Sequence, residues 1–142
     1  MYFFKYCCII YVKGGIYMDI MWFSKDLQGV VSIYETNITL NTVASSYFKT
    51  AYTTLIGYDK SKNILLIKAL NKEDATLGKF TENDLHTVSL KPSYGRINGK
   101  RLVSNIMKFY PLDFAKKNLY KFPCDWDASQ KYLKVYLDKE VS

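Results

Sequence analysis

The sequence predicts an α+β fold dominated by strands, built from two strand–helix–hairpin units within one domain. Two observations lead there. The first is composition: 49% of the 142 residues are hydrophobic, with 13 Tyr, 8 Phe and 2 Trp. That is enough apolar material for a core, and its aromatic and β-branched character favours strands. The second is that each half carries two β-rich runs joined by a polar turn. In the first half, residues 51–58 (AYTTLIGY) and 63–70 (NILLIKAL) flank Asp59-Lys60-Ser61-Lys62. In the second, residues 119–126 (LYKFPCDW) and 131–137 (KYLKVYL) flank Asp127-Ala128-Ser129-Gln130.

The remaining elements follow in chain order. Residues 29–35 (GVVSIYE) alternate as a strand with Val31 and Ile33 on one face. Thr36-Asn37 breaks it, and Ile38-Thr39-Leu40 is a brief extended piece. Asn41 or Thr42 then caps a short helix reaching about Lys49, with Val43, Ala44, Tyr47 and Phe48 as its apolar face. Residues 71–80 read as a helical turn followed by a linker. Residues 85–90 (LHTVSL) read as one strand ended by Pro92. Residues 93–97 are loop or short strand. Asn98 is placed as the cap of a helix from Gly99 to about Phe109, with Leu102, Val103, Ile106 and Met107 as its stripe and Pro111 as its stop.

The halves, 29–70 and 85–137, share this plan. Tyr58-Asp59-x-Ser61 matches Trp126-Asp127-x-Ser129, and Ile64-Leu65-x-Ile67 matches Tyr132-Leu133-x-Val135, both 68 residues apart. Such a repeat lets each half bury the apolar face it cannot cover alone.

Residues 1–17 have an apolar stretch but no basic start and no small-residue cleavage site, so they are a poor signal peptide and too short for a membrane span. Lys13-Gly14-Gly15-Ile16-Tyr17-Met18 can be encoded as AAA GGA GGT ATT TAT ATG, a bacterial ribosome-binding pattern before a start codon. On that reading residues 1–17 are translated leader outside the fold, and residues 18–142 form the single domain. The competing readings are a membrane anchor or an extra strand. The net charge of +7 loses Lys5 and Lys13 and becomes +5.

No catalytic, cofactor or metal-binding set stands out. The adjacent Cys7 and Cys8 lack zinc-ligand spacing, and with Cys124 they give no disulfide framework, a usage typical of the cytosol. His86 has no sequence partner that would make it a base. Cys124 reads as packing. Glu73-Asp74 and Asp125/Asp127 fall in turns, where carboxylates serve geometry. Tyr94, Tyr110, Tyr120 and Tyr132 read as core rather than base-stacking residues. One segment, Gly95-Arg96-Ile97-Asn98-Gly99-Lys100-Arg101, holds both arginines of the chain just before a helix. Arg96, Lys100 and Arg101 are therefore candidate contacts to a nucleic-acid backbone. The competing reading is a glycine-containing loop with solvated charges.

The first half resembles the AbrB/SpoVT/MazE group of swapped-hairpin regulators. Val31-Ser32-Ile33-Tyr34, Ile38-Thr39-Leu40-Asn41, Val43–Phe48 and Ala51–Leu70 stand in the order of that group's strand, pre-helix segment, short helix and hairpin. The tandem arrangement is similar to MraZ. Asn41 stands where the group usually has a proline, and Glu35-Thr36-Asn37 where its DNA-facing loop is basic. The resemblance implies a pseudo-symmetric swapped-hairpin barrel. It also implies a cytoplasmic bacterial DNA-binding transcriptional regulator, acting as a homo-oligomer, with no cofactor and no membrane association. The alternative is a protein-interaction or structural module of the same fold that does not bind DNA.

Overall fold

The computed structural model describes residues 7–12, 16–21, 28–77 and 79–141. Strands β1 (Cys7–Val12) and β2 (Ile16–Met21) pair antiparallel as a separate two-stranded ribbon, with Ile10 opposite Met18. Of the expected leader, residues 1–6 and 13–15 lie outside the described residues, as do residues 22–27.

The rest forms one antiparallel sheet of nine strands, curled as a half-barrel. Its elements are β3 (Val30–Tyr34), β4 (Asn37–Leu40), helix α1 (Thr42–Ser46), β5 (Thr53–Asp59), β6 (Ile64–Leu70) and helix α2 (Lys72–Thr76). There follow β7 (Leu85–His86), β8 (Ser89–Leu90), β9 (Gly95–Asn98), helix α3 (Lys100–Met107), β10 (Leu119–Asp127) and β11 (Tyr132–Tyr136). The strand order is β7-β5-β6-β11-β10-β3-β4-β9-β8.

The halves interleave within the chain. The hairpin β5–β6 pairs with the hairpin β10–β11 through β6 and β11, while β10 pairs with β3 and β4 with β9. Strand β10 changes neighbour at Pro123. Residues 119–123 pair with β3 and residues 124–127 with β11. Proline has no N–H to give to a ladder, so a change of partner is a place where a strand tolerates it. At the other corner, residues 85–90 do the joining. The single strand expected there is interrupted at Thr87-Val88. Its first part pairs with β5 and its second with β9, because one straight strand cannot follow two edges of a curled sheet.

Alternation decides what is buried. Val31 and Ile33 of β3, Ile38 and Leu40 of β4, and Leu133, Val135 and Leu137 at the chain's end are all fully buried. They form one core cluster with Leu65, Ile67, Phe48, Ile97 and Phe122. Each such side chain contributes about 1.5–3 kcal/mol by leaving water.

Helix α1 is capped by Asn41, whose Oδ1 accepts from the N–H of Ala44 at 3.0 Å and of Val30 at 3.1 Å. Its Nδ2 donates to the carbonyl of Gln28 at 2.9 Å. Helix α3 differs from expectation. Asn98 belongs to β9, opposite Asn37, and Gly99 is the N-cap, so no side chain caps α3. Pairing with β4 holds Asn98 extended one residue longer than local capping preference suggests. Val103 and Ile106 of α3 enter the core, and Leu102 and Met107 pack against it. Among the described residues no helix is long and apolar enough to cross a membrane.

Candidate nucleic-acid interface

The outward face of four neighbouring strands, extended by β8, carries a continuous polar row. Pairing sets Lys121 of β10 opposite Ser32 of β3, Ser32 opposite Thr39 of β4, Thr39 opposite Arg96 of β9, and Arg96 opposite Ser89 of β8. The chain neighbours of Ser32, Thr39, Arg96 and Lys121 are buried, so these four point away from the core. Lys121 and Arg96 are separated by three strand spacings, about 14 Å. Between two cations lie two hydroxyl side chains. One row further, Tyr34, Asn37 and Asn98 line up on the same face.

Arg96 is held over the ring of Tyr94, 5.5 Å from its centroid. This aromatic support orients a guanidinium while leaving its N–H donors outward. Lys100 and Arg101 begin α3 immediately past the end of β9 and are exposed. Thus the three residues singled out by sequence occupy two settings. Arg96 is part of the strand face, and Lys100 and Arg101 are in the first turn of the adjoining helix. No hydrogen bond or ion pair joins the three among the described residues. The ion pair found among those residues is Lys117 with Glu140, elsewhere on the surface.

Glu35 stands at this end. The β3–β4 turn is Glu35-Thr36, and the carbonyl of Thr36 accepts from the N–H of Gly99 at 3.0 Å. This ties the Glu35 turn to the start of α3.

Sequence reasoning missed Lys121, Ser32, Thr39 and Ser89 as companions of Arg96. No signal along the chain marks them, because they meet only through strand pairing.

The other residues considered as chemistry take structural places. His86 is half-buried in β7. Burial lowers its pKa below the ordinary 6.5, opposed by the charge of Asp84. Cys124 is buried in the core. Glu73 and Asp74 stand in the first turn of α2. Asp125 accepts from the hydroxyl of Tyr136 at 3.0 Å. Asp127 organises a turn, and Ser129 and Gln130 donating to it lower its pKa below the usual carboxylate value. The hydroxyl of Tyr120 donates to the carbonyl of Asp113 at 2.7 Å, and Tyr110 packs edge-on against Phe122.

Comparison with protein-family models, with curated proteins and with solved structures returned no match to this chain.

Proposed function

We propose that the chain is a DNA-binding transcriptional regulator of the AbrB-like, swapped-hairpin kind. It would act in the bacterial cytoplasm as a homo-oligomer. The observation that carries this reading is the outward row Lys121–Ser32–Thr39–Arg96–Ser89, continued by Lys100 and Arg101. Four cations that make no ion pair among the described residues present the charge a phosphate backbone needs. The hydroxyls and the Asn37–Asn98 pair add neutral donors of the kind that position a duplex. The 14 Å span is close to the ~12 Å width of a major groove, so Lys121 and Arg96 reach phosphates on its two walls.

The swapped-hairpin part of the reading draws support from the pairing of β10 with β3, of β6 with β11 and of β4 with β9. Each of these joins one half to the other, as hairpin exchange between two copies of one unit requires.

The test is binding of mixed-sequence duplex DNA across a salt series, followed by fluorescence anisotropy. Binding weakens steeply with salt, and Arg96→Ala combined with Lys121→Ala lowers the log–log slope by about two. Absent or salt-independent binding, together with a stable homo-oligomer, overturns this reading in favour of the interaction module. The Glu35 turn beside Lys100 is the observation on that side, because it sets a negative charge where phosphates would approach.

A further inference from the structure

A cleft of about 480 Å³ opens between β5, α3 and the turn before β7. Its apolar wall is Ile56, Leu65, Leu102 and Ile106, and its aromatic side is Tyr58, Phe80 and Phe109. The volume lies within the ordinary range for small-molecule sites.

The cleft has a specific origin in the repeat. Trp126 stands 68 residues after Tyr58, in the same place of the matching hairpin. Asn41 and Gly99 cap α1 and α3, 58 residues apart, so Tyr47 of the first half corresponds to Asn105 of the second. In the first half the ring of Tyr47 lies flat on Trp126, with centroids 4.7 Å apart and planes within 8°. In the second half an amide replaces that ring. Phe109, one helical turn on, leans against Tyr58 instead at 5.3 Å and remains 48% exposed. Phe109 thus takes on Tyr58 the stacking place that Tyr47 takes on Trp126, with Nζ of Lys60 5.1 Å over its ring, and the cleft opens beside this pair.

Two further features keep it open. Residue 57 is glycine, and a Cβ there would meet nothing within 4 Å. Glycine inside a strand costs roughly 0.5–1 kcal/mol relative to alanine, so no packing constraint explains it. The pairing of β5 with β7 also stops at Leu55. Thr81 and Asp84 form a capping box that turns the chain away from β5, leaving the edge at Ile56, Gly57 and Tyr58 facing the cleft.

The polar rim is Asn83, Asp84, His86 and Asn105. The two amides each offer donors and an acceptor. Burial lowers the pKa of His86, opposed by Asp84, which supplies one negative charge that disfavours anions.

We propose that this cleft binds an uncharged planar heteroaromatic molecule of nucleobase or nucleoside size, its ring beside Tyr58 and Phe109 and its edge on Asn83 and Asn105. The flat ring lies against the Tyr58–Phe109 pair, on the side where Asn105 stands in place of an aromatic residue. Hydrogen-bonding edges distinguish this ligand from a plain hydrocarbon ring, and the absence of a phosphate suits Asp84.

Adenosine and cytidine serve as probes, with indole and adenosine monophosphate as controls, followed by amide chemical shifts of the full chain. Saturable shifts at Gly57, Asn83 and Asn105 with a nucleoside are expected, at least tenfold weaker with the monophosphate. Asn105→Tyr restores the ring of the first half and should abolish the shifts while leaving the melting temperature unchanged or higher. Gly57→Val should weaken binding at least tenfold. The proposal is overturned if neither nucleoside shifts these amides, if indole alone binds, if the monophosphate binds as well as the nucleoside, or if Asn105→Tyr binds like the parent.

Discussion

Asn63 and Lys131, 68 residues apart, adopt the same left-handed backbone, with φ of 55° and 57°. Among the described residues they are the non-glycine positions with positive φ. The turns they close share the same Asp–Ser contacts. Oδ1 of Asp59 accepts from the N–H and hydroxyl of Ser61 at 3.0 and 2.7 Å, and Oδ1 of Asp127 does so from Ser129 at the same distances. The ladders match as well: Tyr58 opposes Leu65 and Trp126 opposes Leu133. Where the hairpins meet, Leu65 faces Val135 and Ile67 faces Leu133, each pair the image of the other. A local two-fold axis therefore passes through the pair Leu66 and Lys134.

The shared backbone predicts unequal responses to glycine. A left-handed residue with a Cβ costs roughly 1–2 kcal/mol. Asn tolerates this conformation better than Lys. Lys131→Gly should thus raise stability by about 1 kcal/mol. Asn63→Gly should not, because the Oδ1 of Asn63 also accepts from the hydroxyl of Tyr58 at 2.7 Å. Urea unfolding of both variants checks this. Equal stabilisation would mean that the Tyr58 bond contributes nothing.

The hairpins and their repeat were legible in the sequence because turn chemistry is local. Asp59-x-Ser61 carries its own hydrogen bonds, and the runs on either side alternate cleanly. A cap for α1 at Asn41 or Thr42 was legible for the same reason, and the fold places it at Asn41. Asn98 was misread because its partner Asn37 lies 61 residues away, and pairing with β4 outweighs a capping preference worth about 1 kcal/mol. The strand at residues 85–90 was misread because its two ends answer to β5 and β9, which sequence does not place near each other. Arg96 was visible through its type. Lys121 was not, since only the order β10-β3-β4-β9 brings it onto the same row.

The same turns set the acid response. A hydrogen bond from Ser61 lowers the pKa of Asp59 below its ordinary 3.8, and one from Ser129 does so for Asp127. A carboxylate lowered on folding contributes stability above its unfolded value, lost as pH falls through the folded one. His86 acts at higher pH. Its pKa is lowered, so the unfolded chain takes the proton first, and stability present above about 6.5 declines as pH drops below that value. Urea midpoints measured from pH 8 to 3 should fall in two stages. His86→Gln should flatten the upper stage, and Asp59→Asn with Asp127→Asn the lower.

A close approach at the start of β3 makes a packing prediction. A Cβ on Gly29 would lie 2.7 Å from the Sγ of Cys124, inside the core. The N–H of Cys124 donates to the Gly29 carbonyl at 3.2 Å, so neither backbone is free to retreat. Gly29→Ala should cost about 1–3 kcal/mol by overpacking. In a Cys124→Ala background the cost should drop by more than half, the non-additivity expected of residues in contact. Chemical denaturation of the four proteins in this cycle gives the coupling directly, and additive costs would refute the contact.

Glu35 provides the sharpest test of the basic face. Its turn is joined to the start of α3 by the bond from Gly99 to Thr36, so its charge acts close to Lys100 and Arg101. If duplex DNA lies on this face, Glu35 repels it. Glu35→Lys removes one negative charge and adds one positive. At a solvated site this is worth roughly 1 kcal/mol per charge at low salt, so affinity should rise about tenfold or more at 50 mM salt. The gain should shrink as salt is raised, and the slope should steepen by about one for the added phosphate contact. The fold should tolerate the change, because Glu35 is exposed and makes no ion pair among the described residues. An affinity that does not respond to Glu35→Lys, in a protein that still binds DNA, would move the interface to another surface of the sheet.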